Sequence, residues 1–161
     1  MTGAKGRESR RIKSLEPDEE KQVKRIRHLF DKYQKISDEI TEWEEINTDD
    51  ADIILCAFGS LARSIKAVMT ELRKKGLKVG VFRPITLSPF PHKRLNELAE
   101  KCKSFVVVEM NMGQMAKDVK YAVDGKADIY QVNRPVGQWL SVEEIIQEMN
   151  NQLGEKVYAN V

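Results

Sequence analysis

Apolar residues change their spacing partway along this chain, and the change predicts where one kind of structure gives way to another. Between Pro17 and Trp43 they are Val23, Ile26, Leu29, Phe30, Tyr33, Ile36, Ile40 and Trp43. Steps of three and four put them on one face of a helix. Pro17 suits the first helical position, and Asp18, Glu19 and Glu20 bring negative charge to the positive end of the helix dipole. Such a stripe either packs on its own domain or docks against another chain, and the length of this helix favours docking.

Asn47-Thr-Asp-Asp50 is a polar break, after which strand and helix patterns alternate. Asp52–Phe58 reads as a buried strand ending at Gly59-Ser60. Leu61–Lys75 reads as a helix with Leu61, Ile65, Val68, Met69 and Leu72 on one face, stopped by Gly76. Leu77–Arg83 is a second strand, followed by a proline-rich turn from Pro84 to Pro91. His92–Lys101 is a short helix. Ser104–Glu109 is the most apolar strand and is expected at the centre, because continuous apolar runs belong to parallel strands covered on both faces. Gln114–Val123 is a helix and Ala127–Val132 a strand. Ser141-Val-Glu-Glu144 fits a capping box that opens a last helix reaching about Leu153. Four such alternations predict an α/β fold with a largely parallel sheet and helices on both faces.

Composition narrows the function classes. The chain has 161 residues, 41% of them hydrophobic, and a formal net charge of +2. That small sum hides +4 over residues 1–13, −6 over 14–50 and +4 over the rest. The basic start is short, lacks aromatics for base stacking and runs straight into acidic sequence, so no nucleic-acid partner is expected. No stretch approaches the roughly 18 apolar residues a membrane span needs, and the polar segment Met1–Ser14 is no secretory signal. The two cysteines, Cys56 and Cys102, read as reduced core thiols of a cytoplasmic protein and exclude a self-contained zinc or iron–sulfur site. His28 and His92 are the only histidines.

In an open parallel sheet, ligands bind at the C-terminal ends of the strands. The first of these ends, Gly59-Ser-Leu-Ala-Arg-Ser64, lacks both the dinucleotide fingerprint and the phosphate loop. Gly59 and Ser60 either cradle an anion with free backbone N–H groups or simply make the turn and cap the helix. Arg83, Thr86 and Ser88 follow the second strand, before the rigid Pro89-Phe90-Pro91. The third strand ends in Glu109-Met-Asn-Met-Gly-Gln114, with no acceptor Asp for a phosphorylatable receiver. Glu109 is either a general acid or base of raised pKa or, together with Asn111, a hydrogen-bonding brace for the turn. Gly113 lets the chain enter the next helix at Gln114. His92 is expected to be solvated. No residue is assigned a catalytic or metal-binding role; Gly59, Ser60, Arg83, Glu109, Asn111, Gly113 and Gln114 stand as anion or turn candidates.

Asp52–Ser64 (DIILCAFGSLARS), Gly76–Pro91 (GLKVGVFRPITLSPFP) and Phe105–Met115 (FVVVEMNMGQM) resemble, in order and spacing, the α subunit of 2-oxoacid:ferredoxin oxidoreductases. Thr2-Gly-Ala-Lys-Gly-Arg-Glu8, Gly137 and Ser141–Ile145 extend the likeness over nearly the whole chain. The PFP turn followed by VVVEMNMGQM is closer to the 2-oxoglutarate and branched-chain (ketoisovalerate) types than to the pyruvate type. The resemblance implies the family's transketolase C-terminal-like domain: three α/β/α layers around a five-stranded, mainly parallel sheet with one antiparallel strand. Four strands are evident, so a weak segment such as Lys156-Val-Tyr158 is the expected fifth. The resulting division is a basic extended arm at 1–16, an amphipathic linker helix at 17–46 and the α/β domain at 47–161.

For the parent enzyme, the resemblance implies oxidative decarboxylation of a 2-oxoacid to an acyl-CoA, with coenzyme A as substrate and ferredoxin as electron acceptor. It further implies thiamine diphosphate, magnesium and an iron–sulfur cluster. The family's metal-binding G-D-G…N motif and cysteine clusters are absent here, so no cofactor is expected on this chain. Thr2-Gly3 matches the family's interior, so the chain is expected to be an excised or separately encoded C-terminal domain. It is expected to support the thiamine-binding pyrimidine and diphosphate domains, with a homodimer as a further expectation. The rival expectation is a stand-alone α/β module that holds a small anion with Gly59, Ser60 and Arg83.

Overall fold

Glu42 marks the point where the helical pattern is overruled. Its backbone N–H donates to Thr86 Oγ1 at 3.0 Å, and its carbonyl accepts from the N–H groups of Ile85 and Thr86 at 2.9 and 3.1 Å. In this computed structural model, which describes residues 3–9, 15–135 and 137–154, the first helix (α1) therefore runs over Glu19–Ile40 and stops short of Trp43. Asp18, one place after the expected Pro17, opens it: its side chain accepts from the Lys21 N–H at 3.1 Å. That hydrogen bond holds the Asp18 carboxyl below its usual range. No residue of α1 is buried.

The chain divides into two compact units, Met1–Glu39 and Ile40–Val161. In the first, the arm residues Lys5, Arg7 and Glu8 are exposed, while Arg10, Arg11 and Lys13 lie outside the described residues.

The second unit opens with Trp43–Ile46 as a strand (β1), where the sequence pattern continues the linker helix to residue 46. The remaining strands are Ile53–Cys56 (β2), Val79–Pro84 (β3), Ser104–Glu109 (β4) and Asp128–Asn133 (β5). They form one five-stranded sheet in the order β1-β3-β2-β4-β5. Only β1 is antiparallel, with Trp43 opposite Pro84 and Ile46 opposite Val81. The fifth strand is thus β1 and comes from the start of the domain; Lys156–Tyr158 lies outside the described residues. A segment reading Trp-Glu-Glu-Ile makes a strand because both glutamates find cations on opposite faces of the sheet. Glu44 pairs with Lys66 at 2.8 Å and Arg83 at 3.3 Å, while Glu45 pairs with Arg94 at 2.7 Å. The bond from Lys66 lowers the Glu44 carboxyl's pKa. Burial pushes that of Glu45 up, but bonds from Arg94, Thr48 and Trp43 outweigh it and the net shift is downward.

The helices are Leu61–Lys74 (α2), His92–Ala99 (α3), Gln114–Val123 (α4) and Val142–Leu153 (α5). One apolar layer joins Ile53, Leu55, Val81, Val106 and Val108 of the sheet to Ile65 and Leu72 of α2 and Ile145 and Met149 of α5. The other joins Ile54, Phe82, Phe105 and Val107 to Leu95 and Leu98 of α3 and Val119 and Val123 of α4. Every residue of β4 is buried, as expected for a strand covered on both faces. The capping box that opens α5 is formed: Glu144 N–H donates to Ser141 Oγ at 3.2 Å, and Ser141 N–H to Glu144 Oε2 at 2.9 Å. Cys56 and Cys102 are free and buried. Burial raises both thiol pKa values, that of Cys102 to about 11. Among the described residues no helix is long and apolar enough to cross a membrane.

One close approach holds the β1–β2 turn. A Cβ on Gly80 would sit 2.8 Å from Asn47 O, 3.0 Å from Ala51 Cβ and 3.1 Å from Thr48 Cα. Two of these are backbone atoms, and Arg73 fixes the same turn through Asn47 O at 3.0 Å and Asp50 at 2.6 Å. Gly80→Ala is therefore expected to destabilise the sheet unit by about 1–3 kcal/mol, read as a lower urea midpoint at unchanged slope.

Candidate functional site

The strand order reverses direction between β2 and β4, so the crevice at their C-terminal ends is where this architecture places ligands. A cleft of about 210 Å³ lies there, lined by Phe58, Gly59, Ser60, Leu61, Met110 and Asn111. Gly59 turns the chain with φ +61°, a conformation glycine adopts without strain. Ser60 is exposed and its side chain makes no capping hydrogen bond to α2. The first turn of α2 closes on its own backbone instead, with Ala62 N–H donating to Gly59 O at 3.3 Å and Arg63 N–H to Ser60 O at 3.2 Å.

The other end of the crevice is organised by two side chains. Asn111 Oδ1 accepts from the N–H groups of Gly113 at 2.9 Å and Gln114 at 3.0 Å. Glu109, fully buried, accepts from Met115 at 2.9 Å through Oε2 and from Ala116 at 3.1 Å through Oε1. Four consecutive amides, the group that a helix start leaves without intrahelical partners, are thus all satisfied from within. Gly113 permits the geometry with φ +87° and a Cβ position that would meet Gln131 Oε1 at 2.7 Å. The side chain of Gln114 is exposed and only its backbone takes part. An anion at the start of α4 would have to displace both Glu109 and Asn111.

Arg83 joins neither group. It is the cross-strand partner of Glu44, bonds it at 3.3 Å, and is absent from the lining of the cleft. The seven candidates therefore separate into Gly59, Ser60 and Asn111 on one cleft, Glu109, Asn111, Gly113 and Gln114 in one braced turn, and Arg83 at the sheet's β1 side. His92 is not simply solvated: its ring lies 5.2 Å from Phe90 and 5.3 Å from Tyr121. Sequence reasoning missed the apolar side chains left exposed around the same end of the sheet. Trp43, Ile85, Leu87, Met112 and Trp139 are all exposed there, and four of them sit beside the proline- and glycine-bearing turns, the signal by which they could be found.

Among the described residues no group of three or more His, Cys, Asp or Glu side chains could hold a metal ion, and the two thiols are enclosed in the core.

Comparison with known proteins bears out the resemblance seen in the sequence. The family pattern of pyruvate:ferredoxin oxidoreductase core domain II matches residues 51–145. Ketoisovalerate oxidoreductase subunit VorB of Methanothermobacter marburgensis is 39% identical over 128 residues, covering 80% of this chain and 36% of that protein. 2-Oxoglutarate synthase subunit KorA of Methanocaldococcus jannaschii is 38% identical over 122 residues, covering 76% and 32%. The chain thus spans about a third of the length of these relatives. A structure of 2-oxoglutarate:ferredoxin oxidoreductase from Magnetococcus marinus, solved with 2-oxoglutarate, coenzyme A and succinyl-CoA, overlays with a TM-score of 0.71 at 20% identity. It covers 86% of this chain and 24% of that one. An inactive β4 tetramer of a split-gene transketolase overlays at 0.59 with 15% identity, covering 70% of this chain and 41% of that one. At these identities the two structures show the fold, a transketolase C-terminal-like α/β sandwich.

Removing the internal brace has a calculable effect. Glu109→Ala strands two buried amides, so a loss of about 2–4 kcal/mol is expected, with faster hydrogen exchange confined first to the start of α4. Asn111→Ala, at a half-exposed position, is expected to lose about 1 kcal/mol.

Proposed function

The chain belongs to the pyruvate:ferredoxin oxidoreductase core domain II family, and we propose that it is the structural and assembly domain of a thiamine diphosphate-dependent 2-oxoacid:ferredoxin oxidoreductase. The parent enzyme oxidatively decarboxylates 2-oxoglutarate or a branched-chain 2-oxoacid to the acyl-CoA and passes electrons to ferredoxin. Thiamine diphosphate and its magnesium are held by pyrimidine and diphosphate domains outside this chain, and the iron–sulfur cluster is ligated elsewhere in the enzyme. Thiamine diphosphate supplies the electron sink for decarboxylation. The residues of this chain shape and brace a surface against which those domains rest. A cytoplasmic location goes with this reading, and the absence of a bond between Cys56 and Cys102, both free, accords with it.

The observation that carries the proposal is the contrast at the C-terminal edge of the sheet. Three of its charged and polar side chains are engaged by the fold, Glu109 and Asn111 by backbone amides and Arg83 by Glu44. Several of its apolar ones are exposed, among them Met112 at 76% and Trp139 at 59%. A catalytic crevice needs the opposite arrangement, polar groups aimed at a ligand within an apolar wall. An apolar rim over a rigid frame suits a protein interface, where buried aromatic and aliphatic anchors carry most of the binding energy. Relatives about three times as long supply the material such a rim would meet.

Two measurements test this. Calorimetric titration of the chain with thiamine diphosphate and magnesium is expected to give no binding heat in the micromolar range; micromolar binding would overturn the proposal. Trp43 and Trp139, the two tryptophans of the chain, both lie on the rim and report on it. Their emission is expected to shift to shorter wavelength on mixing with the thiamine-binding part of the parent enzyme. Leu87→Asp combined with Trp139→Asp should weaken that association by at least about tenfold, roughly 1.4 kcal/mol. Unchanged affinity would exclude the rim as the interface.

A further inference from the structure

Helix α1 poses a separate problem, independent of the proposed function. Four residues of its apolar stripe are exposed: Phe30 is 69%, Tyr33 67%, Ile26 56% and Val23 48% exposed. Most helical stability in proteins comes from packing an amphipathic face, and at the C-terminal end of this 22-residue helix the charges do not replace it. Asp38 and Glu39 occupy the last turn, where no base is present, and negative charge there opposes the helix dipole. Lys21, Lys24, Arg25 and Arg27 crowd the first half. An arrangement that costs the lone helix stability points to an oppositely charged neighbour running the other way.

The apolar row supplies the register. Val23, Ile26, Phe30, Tyr33, Ser37 and Ile40 follow one another at alternating steps of three and four, the spacing of a coiled-coil seam. The row is symmetric about its midpoint between Phe30 and Tyr33. Turned end for end, it sets Val23 against Ile40, Ile26 against Ser37 and Phe30 against Tyr33. Leu29 and Ile36 widen the seam on one side. The same turn brings the basic residues 21–27 beside Asp38 and Glu39, whereas a parallel pair would set like charges side by side. From this self-complementarity we infer that α1 pairs antiparallel with α1 of a second copy of this chain, across a two-fold axis near Asp31 and Lys32. Such an isologous contact closes at two copies. Spanning only about three heptads, it is a weak, micromolar association.

Sedimentation of the full chain from micromolar to several hundred micromolar tests the pairing. A mass rising from 18.5 kDa toward twice that value is expected. The double variant Ile26→Glu, Phe30→Glu should stay monomeric, with an unchanged melting midpoint for the sheet unit, since neither residue is buried. Direction is read by cross-linking. Chains carrying Val23→Cys mixed with chains carrying Ile40→Cys should form mixed disulfide dimers. Val23→Cys alone should not, because the antiparallel register puts the two copies of that position about 25 Å apart. Cys56 and Cys102 are buried and leave the readout clear. A monomer at every concentration would overturn the inference and leave the stripe to another part of the enzyme or another partner. So would a dimer that survives the double variant, or one in which Val23→Cys cross-links to itself.

Discussion

Two oxygens of a fully buried carboxyl group, those of Glu109, receive the N–H groups of Met115 and Ala116 and tie the end of the central strand to the start of α4. A buried polar group without partners would cost several kcal/mol; here the demand of the side chain and that of the helix start cancel. Because β4 lies between β2 and β5, this bond fixes the loop on one side of the crevice where the sheet order reverses. Asn111 completes the brace by taking the next two amides up the chain. The positive end of α4, which in other α/β proteins receives phosphate, is closed by the chain itself.

That closure shapes what the edge of the sheet can do. With Glu109 and Asn111 engaged by the fold, the same end of the sheet also carries exposed apolar side chains, among them Trp43, Ile85 and Trp139. The relatives compared above are about three times as long as this chain, and the supporting role proposed above rests on this surface. Arg83 belongs to the same logic. It serves the edge strand β1 through Glu44, and with Lys66 and Arg94 it lets a strand containing two adjacent glutamates join the sheet.

Much of this was legible in the sequence, and the parts that were not share a cause. Strands β2 to β5 and helices α2 to α5 are each marked by local signals: apolar runs of strand length, glycine stops, and the Ser141–Glu144 box that forms as read. The braced turn was also legible, because an acid, an asparagine and a glycine in the order of Glu109, Asn111 and Gly113 act on amides a few residues away. β1 was not. Trp43 falls on the helical period that begins at Val23, and only contacts some forty residues distant, such as that of Glu42 with Thr86, pull it into the sheet. The pairing of Arg83 with Glu44 is equally non-local, so spacing alone suggested an anion ligand where there is a cross-strand partner. Exposure of the rim is likewise a tertiary property, since the same Met or Trp in a turn can face inward or out.

The claim that the positive end of α4 is closed by the chain's own side chains is tested most directly by following the backbone amide resonances of Gly113, Gln114, Met115 and Ala116. During titration of the chain with millimolar phosphate and then with thiamine diphosphate and magnesium, these four resonances should not move, and those of Met115 and Ala116 should be among the slowest to exchange with solvent. A saturable shift of the four amides with either ligand would show that Glu109 and Asn111 yield to an incoming anion, and would contradict the claim.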